Sequence, residues 1–372
     1  MKNTIYDVAK MAGVSVATVS RVLNRKGQYS KDIEDKVLKI IKKINYRPRK
    51  SNSVNFSGHK KVGGVIGLLF CFSDDPEEIH ISEQEIKVKK DHFILPELVF
   101  NDSKRFESSF YREISNGVIE EGRTHGFTTI IHCINKEKLN DPLLMKTIEN
   151  DKVDGILLAG EHPSLGISDF VKSSPFPLVL IDIIAGEGAL EVTTDNFDGI
   201  RQAFEYLFSL GHRQIGFIIG NDIPEYRERY NAYAQMMIEN GLLINQSWIY
   251  KGVNHVTEVS NWAIEVLKRK ERPTAFICSN DFAAIGVLRA ALTSGIKVPK
   301  ELSIIGFDDI ETIKYVTPPL TSVRVPKFEI GRISVRELLN IINFKGFSGE
   351  FPQCRMRLSP SLIIRDSTST PS

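Results

Sequence analysis

Four polar residues stand where an apolar run has just ended or a helix has just begun. Asp182 follows Leu178–Ile181, Asn280 follows Ala275–Cys278, Asp308 follows Ser303–Phe307, and Arg229 lies early in a helical stretch. In open α/β sheets, ligands bind beyond the carboxyl ends of the strands, so residues at such ends are candidates for contact. A carboxylate or an Asn oxygen accepts hydrogen bonds from vicinal hydroxyls, and a guanidinium donates to ring or hydroxyl oxygens. The set suits a neutral polyol better than an apolar molecule. Asp281 and Asp309, one residue further on, read equally well as caps or turn residues. Other chemistry is missing. There is no GxSxG elbow and no Walker loop, and Gly63-Gly64-Val65-Ile66-Gly67 has the wrong spacing and the wrong place for a dinucleotide fingerprint. Cys71, Cys133, Cys278 and Cys354 are isolated from one another and have no zinc spacing. His212, in Leu210-Gly211-His212-Arg213, reads as a structural residue at a helix end. No enzyme, cofactor or metal is expected.

The elements that must position these groups are legible as alternation. Val62–Phe70 is a continuous apolar run of the kind a doubly covered parallel strand requires. Similar runs recur at Thr128–Cys133, Gly155–Leu158, Leu178–Ile181, Ile215–Ile219, Ala275–Cys278 and Ser303–Phe307. Helical stretches separate them at Phe110–His125, Asp198–Leu210, Glu225–Asn240, Glu258–Lys268 and Asp281–Ser294. Strand–helix alternation predicts a doubly wound α/β body, and its length predicts two lobes crossed several times by the chain. Phe110 and Tyr111, opening the first of those helices, are candidates for an apolar wall of the cleft. Residues 74–104 carry nine acids and four Lys with apolar clusters at Ile79–Ile81, Ile86–Val88 and Phe93–Leu98, which reads as an inserted hairpin or lid. The Ser/Thr-rich tail, 367–372, is expected to fray.

Charge separates this body from what precedes it. The chain has 48 Lys and Arg against 46 Asp and Glu, yet its first 61 residues hold fifteen basic and four acidic residues. The remaining 33 basic and 42 acidic residues leave the rest mildly negative. A basic head on an acidic body points to a nucleic-acid partner. Within the head, Ile5, Val8, Ala9 and Ala12 have helical spacing with Thr4 as a cap, and Gly13 offers the bend between two helices. Ser15 would cap a second helix, Val16 to Asn24, with Val19, Val22 and Leu23 inward. A third runs from about Lys31 to Ile44 on Ile33, Val37, Ile40, Ile41 and Ile44. Three helices with this turn form a helix-turn-helix.

The segment IYDVAKMAGVSVATVSRVLN, followed by KVLKIIKKINYRP, resembles the DNA-binding head of LacI/GalR-family repressors. The resemblance implies that Val16 to Asn24 is the recognition helix in the major groove. By motif position Val16, Ala17 and Arg21 would read bases, with Arg21 matched to guanine O6 and N7 and the other two offering apolar contact. Thr4, Tyr6, Ser15, Ser20 and Asn24 would hold phosphates, and Thr18, Tyr46 and Arg49 complete the DNA-facing set. After Tyr46-Arg47-Pro48 the chain departs from the family, whose hinge helix carries a minor-groove Leu. Here that Leu falls on Asn55, between Val54 and Phe56. Either Val54 or Phe56 is the wedge, or the linker stays flexible and binding relies on phosphates.

The body resembles the same family's effector domain, a periplasmic-binding-protein-like fold. The resemblance rests on VDGILLAG, PLVLID, TTDNFDG, LGHRQIGFI, the RERYNAY stretch, SNDFAAIGVLRA and SIIGFDDIETIKYVTPPLTSVR. It implies that Asp182, Arg229, Asn280 and Asp308 contact a small-molecule, sugar-like effector. It also implies a homodimer on a palindromic operator, with release by the effector; isolated cysteines without a signal peptide point to the cytoplasm, and no apolar run approaches the ~18 residues of a membrane span. The expected domains are the head at 1–48, a hinge at 49–61, and a body at 62–366. Within the body, lobe 1 is about 62–194 and 327–352, and lobe 2 is about 195–322 and 353–366. The body alone would also suit a sugar-binding receptor of the transport type, against which the basic head argues.

Overall fold

In the computed structural model the described residues are 5–14, 18–19, 22, 31–43, 63–72, 109–160, 166–185, 188–343 and 354–371. The chain divides into two units, Met1–Lys60 and Lys61–Ser372. In the head, helix α1 spans Ile5–Ala12 and α2 spans Lys31–Lys43. Gly13 adopts φ 65°, and the Gly13 and Val14 amides donate back to the carbonyls of Lys10 and Ala9. This closure needs a left-handed residue at Gly13, which is why the helix ends there. Val8, Ala9, Ala12, Val19, Val22 and Val37 form the buried core of this unit, with Ile33, Ile40 and Ile41 packed against it.

The body contains two six-stranded sheets. The first runs β11 (Cys354–Leu358), β5 (Leu190–Thr194), β4 (Leu178–Ile181), β3 (Gly155–Gly160), β1 (Gly64–Phe72), β2 (Phe127–Asn135), and every pairing is parallel. The second runs β12 (Ser361–Ile363), β10 (Thr321–Arg324), β9 (Ser303–Asp308), β8 (Ala275–Cys278), β6 (Ile215–Gly220), β7 (Ile249–Lys251). It is parallel except for the β12–β10 edge. Strand β1 shows why both faces must be apolar. Ile66, Leu68, Phe70 and Phe72 join one core cluster, whereas Leu69 and Cys71 join another on the opposite face. Each such fully buried side chain contributes roughly 1.5–3 kcal/mol.

Helices α3 (Ser109–Thr124), α4 (Pro142–Asn150), α5 (Ile167–Ser173) and α10 (Lys327–Asn343) accompany the first sheet. Helices α6 (Asn196–Ser209), α7 (Pro224–Glu239), α8 (Val256–Leu267) and α9 (Asp281–Thr293) accompany the second. The α3–α10 contact is close because glycine faces backbone on both sides. A Cβ on Gly117 would lie 2.1 Å from the Phe328 carbonyl oxygen, and one on Gly331 would lie 2.3 Å from that of Ile114.

Two expectations need correction. The segment 353–366 does not belong wholly to lobe 2, since β11 pairs with β5 in the first sheet and only β12 joins the second. The chain therefore passes between lobes three times, after β5, after β10 and between β11 and β12. The tail beyond Asp366 is not frayed. Ser367 is fully buried; its hydroxyl accepts from the Thr321 amide at 2.8 Å and donates to the Ile304 carbonyl at 2.6 Å. His212 explains the rest of the order: its Nε2 donates to the Ser369 carbonyl at 2.8 Å, and Nδ1 meets the Thr274 hydroxyl at 2.8 Å. Burial pushes the His212 ring toward its neutral form, in keeping with a structural tie.

Candidate functional site

Arg229 is the centre of the polar set. It sits one and a half turns into α7, which opens with Pro224 at its first position, where a missing amide costs nothing. The side chain is 2% exposed. Its Nε donates to Asn196 Oδ1 at 2.8 Å, and Nη1 donates to the Ser279 carbonyl and stands 3.6 Å from Asp308 Oδ1. The guanidinium lies over the Phe307 ring, 3.7 Å from its centroid, and 5.4 Å from that of Tyr226. A buried cation with one loose carboxylate, one carbonyl and one amide oxygen is held in position yet only partly neutralised.

Asp182 directly follows β4 and Asp308 ends β9, one from each sheet, and both adopt positive φ, 51° and 104°. Non-glycine residues rarely accept that conformation, and here it turns a carboxylate off the end of a strand. Burial raises the carboxyl of Asp182, against the pull of Arg229. Burial likewise raises Asp308 to about 7, against Arg229 and Lys327. Asp182 Oδ1 is buried with no hydrogen-bond partner. Asn280 is differently employed. Its Oδ1 accepts from the Ala283 amide at 2.8 Å, capping α9, and its Nδ2 donates to the Tyr226 hydroxyl at 3.0 Å. Asp281, a candidate cap by sequence, instead accepts from the Ser322 hydroxyl at 2.6 Å and the Ile310 amide at 2.7 Å, tying the end of β9 to β10. Asp309 receives Arg324 at 2.7 Å and Arg365 at 2.5 Å.

The two aromatic candidates separate. Phe110 packs against the cores of both lobes, and the Lys327 ammonium stands 5.7 Å from its ring. Lys327, 2% exposed at the start of α10, donates to the Asp308 carbonyl at 2.6 Å. Phe110 is thus beside the polar set through Lys327. Tyr111 turns toward β1, edge-on to Phe70 and Phe72 at 5.5 and 5.4 Å.

Several participants were not singled out from sequence. Glu225, first turn of α7, is 4% exposed; its Oε1 accepts from the Ile184 amide at 2.8 Å and its Oε2 is buried without a partner. Burial raises its carboxyl to about 7, with the negative charge of Asp182 adding to the effect. Asn196 donates to Glu228 at 3.0 Å, and Glu228 also receives Arg355 and Arg357, each at 3.1 Å. Asn254, by contrast, is one of the two residues, with His255, that the sequence offers after Lys251-Gly252 in place of a stacking aromatic; it donates to the Ser279 hydroxyl at 2.9 Å and leaves its Oδ1 buried and unpaired. The helical spacing of Glu225, Tyr226, Glu228 and Arg229 was the available signal, since it gathers them on two adjoining faces.

Of the residues assigned to DNA, Thr4, Ser15, Val16, Ala17, Ser20, Arg21, Asn24, Tyr46, Arg49, Val54 and Phe56 lie outside the described residues, as do the hinge and the segment 74–104. Tyr6 falls in α1, and Thr18 is half-buried beside Val19. Among the described residues no helix is long and apolar enough to cross a membrane.

Comparison with known proteins bears on both units. A model described as bacterial regulatory proteins, lacI family, matches residues 4–49, and one described as a periplasmic binding protein-like domain matches residues 204–368. The HTH-type transcriptional repressor PurR of Haemophilus influenzae is 30% identical over 371 residues, 99% of each chain. The ribose operon repressor of Halalkalibacterium halodurans is 28% identical over 366 residues, 98% of this chain and 97% of its own. Among solved structures, a complex of the transcriptional regulator CelR with cellobiose gives a TM-score of 0.66 at 24% identity, covering 98% of this chain and 100% of that one. The lac repressor dimer bound to operator and the anti-inducer ONPF gives 0.61 at 20% identity, covering 99% and 100%. The last two likenesses concern the fold.

Proposed function

The chain belongs to the lacI family of bacterial regulatory proteins, and on that premise we propose that a small, hydroxyl-rich effector bound around Arg229 controls the grip of paired heads on a palindromic operator. Family membership makes it a DNA-binding transcriptional repressor and not an enzyme. In the proposed reading Arg21 reads guanine, Val16 and Ala17 touch base edges, and the hydroxyl and amide side chains of the head hold phosphates.

The single observation that carries the effector site is the convergence on Arg229. Asp182 from the first sheet and Asp308 from the second both bear electrostatically on one buried guanidinium at the carboxyl ends of their strands. Groups drawn from two lobes change their spacing when the lobes move, so a ligand that bridges them has a differential affinity for two arrangements. That differential is the whole source of coupling to the head. Asn280 supports the site as the residue that fixes Tyr226 and α9, and Phe110 supplies apolar surface next to Lys327.

The test is thermal unfolding of the full chain against a panel of sugars. A ligand at about a hundred times its dissociation constant adds roughly 2.7 kcal/mol. One ligand should raise the midpoint, and Arg229→Ala should abolish that rise while DNA binding by the head persists. A rise retained in Arg229→Ala would remove the assignment of this cleft. The transport-receptor reading has no observation in its favour beside the lacI-type head.

A further inference from the structure

Resting on that reading of the cleft, the structure supports a narrower ligand class. Acidic groups outnumber cations around the site. Asp182, Glu225 and Asp308 all act on the one guanidinium of Arg229. The other nearby charges are already committed. Lys327 donates to the carbonyls of Asp308 and Asp309 while its charge also acts on the Asp308 carboxyl, so three carboxyls face two cations, and Glu228 is paired with Arg355, Arg357 and Asn196. Two carboxyl oxygens are left over, Asp182 Oδ1 and Glu225 Oε2, each buried and without a hydrogen-bond partner. They come from opposite lobes, and the Glu225 side chain already crosses between lobes to accept from the Ile184 amide.

Buried polar atoms are almost always paired, and an unpaired carboxyl in a low-dielectric site is expensive unless a donor reaches it. A neutral hydroxyl would satisfy one lone pair and bring no charge to offset the burial that raises these carboxyls. An ammonium group supplies three donors and, at once, a positive charge that favours the ionised carboxyls. An anionic ligand such as a sugar phosphate would add charge of the wrong sign beside three carboxyls. We propose that the cleft selects an effector carrying a protonated amine beside its hydroxyls, an aminated sugar or polyol, with Asp182 and Glu225 receiving the ammonium. The burial that holds Glu225 and Asp308 partly protonated near neutrality has a consequence for this binding. The arriving cation favours their charged forms, so binding releases protons to the buffer.

The experiment uses the full chain at about pH 7, where free carboxyls are ionised and amines protonated. Glucosamine, galactosamine, mannosamine and a polyhydroxylated piperidine are titrated by calorimetry beside the parent hexoses, the N-acetyl forms and the hexose 6-phosphates. Two buffers of different ionisation heat report the protons released. An amine should bind at least about tenfold tighter than its parent and its N-acetyl form, the ratio expected of one buried charge interaction. Its apparent heat should change with the buffer in the direction of proton release. Glu225→Gln keeps the oxygen that accepts from Ile184 and should erase most of the preference; its unfolding midpoint reports that it folds. A parent or N-acetyl sugar that binds as tightly, or an amine series that does not bind, overturns the proposal. Neutral binding that Arg229→Ala abolishes would overturn the amine and leave the cleft standing. Binding that survives Arg229→Ala would overturn the cleft as well.

Discussion

Glu225 costs the free protein stability, and the cost depends on pH. Burial raises its carboxyl from 4.5 to about 7 in the folded chain. For an acid raised on folding, stability is intact below the unfolded value and is lost as pH climbs toward the folded one. Glu225→Gln lacks that titration. The variant should match the parent near pH 4 and exceed it by up to about 3 kcal/mol above pH 7, by the usual 1.36 kcal/mol per pH unit. Chemical denaturation at several pH values measures this, and a difference that does not vary with pH would contradict it. Arg21 belongs to the same scale, at the DNA end. Arg21→Ala should cost about 1–3 kcal/mol on the preferred site and relax selectivity at one base pair per half-site. Equal weakening on all duplexes would make Arg21 a phosphate contact. Asp182, Asp308 and Arg229, which the structure gathers, stood out in the sequence because each lies at a strand end or early in a helix within a recognisable motif. Glu225 was not, because a glutamate in a first helical turn usually just complements the helix dipole. Only tertiary folding shows that this one points inward, under the Ile184 amide.

At the scale of elements, the long apolar strands were readable and the polar, edge or short ones were not. Strand β1 is apolar on both faces, and its run needs no context to be read. Strand β11, Cys-Arg-Met-Arg-Leu, alternates and lies at a sheet edge, and its lobe is settled only by pairing with β5. Helix α10 carries Lys327 into the site, yet its buried lysine breaks the apolar stripe a sequence reading looks for. The tail shows the opposite failure. Ser and Thr suggest solvent, but Ser367 and Ser369 answer buried groups, the Ile304 carbonyl and His212 among them. Removing residues 367–372 deletes the bonds to Thr321, Ile304 and His212. At about 1 kcal/mol each, the loss should be roughly 3 kcal/mol, read as a lower unfolding midpoint. An unchanged midpoint would return the tail to the solvent.

On the scale of the whole molecule, a basic head and a two-lobed body must exchange free energy. The charge asymmetry was plain in the sequence and predicts operator affinity that falls steeply with salt. In the proposed reading the head's contribution is sequence readout, and the body's is an effector site whose polar groups come from both sheets. The chain crosses between the lobes after β5, after β10 and between β11 and β12, and no strand is shared by the two sheets. The measurement that tests this most directly is operator affinity with and without effector. A palindromic duplex is enriched from a random library, and its affinity is then measured for the parent chain and for Arg229→Ala across the sugar and amine panel. One ligand should change the parent's affinity by about 5- to 150-fold, the usual range of allosteric coupling, and leave that of Arg229→Ala unchanged. An affinity indifferent to every ligand that binds, or an equal response in Arg229→Ala, would contradict it.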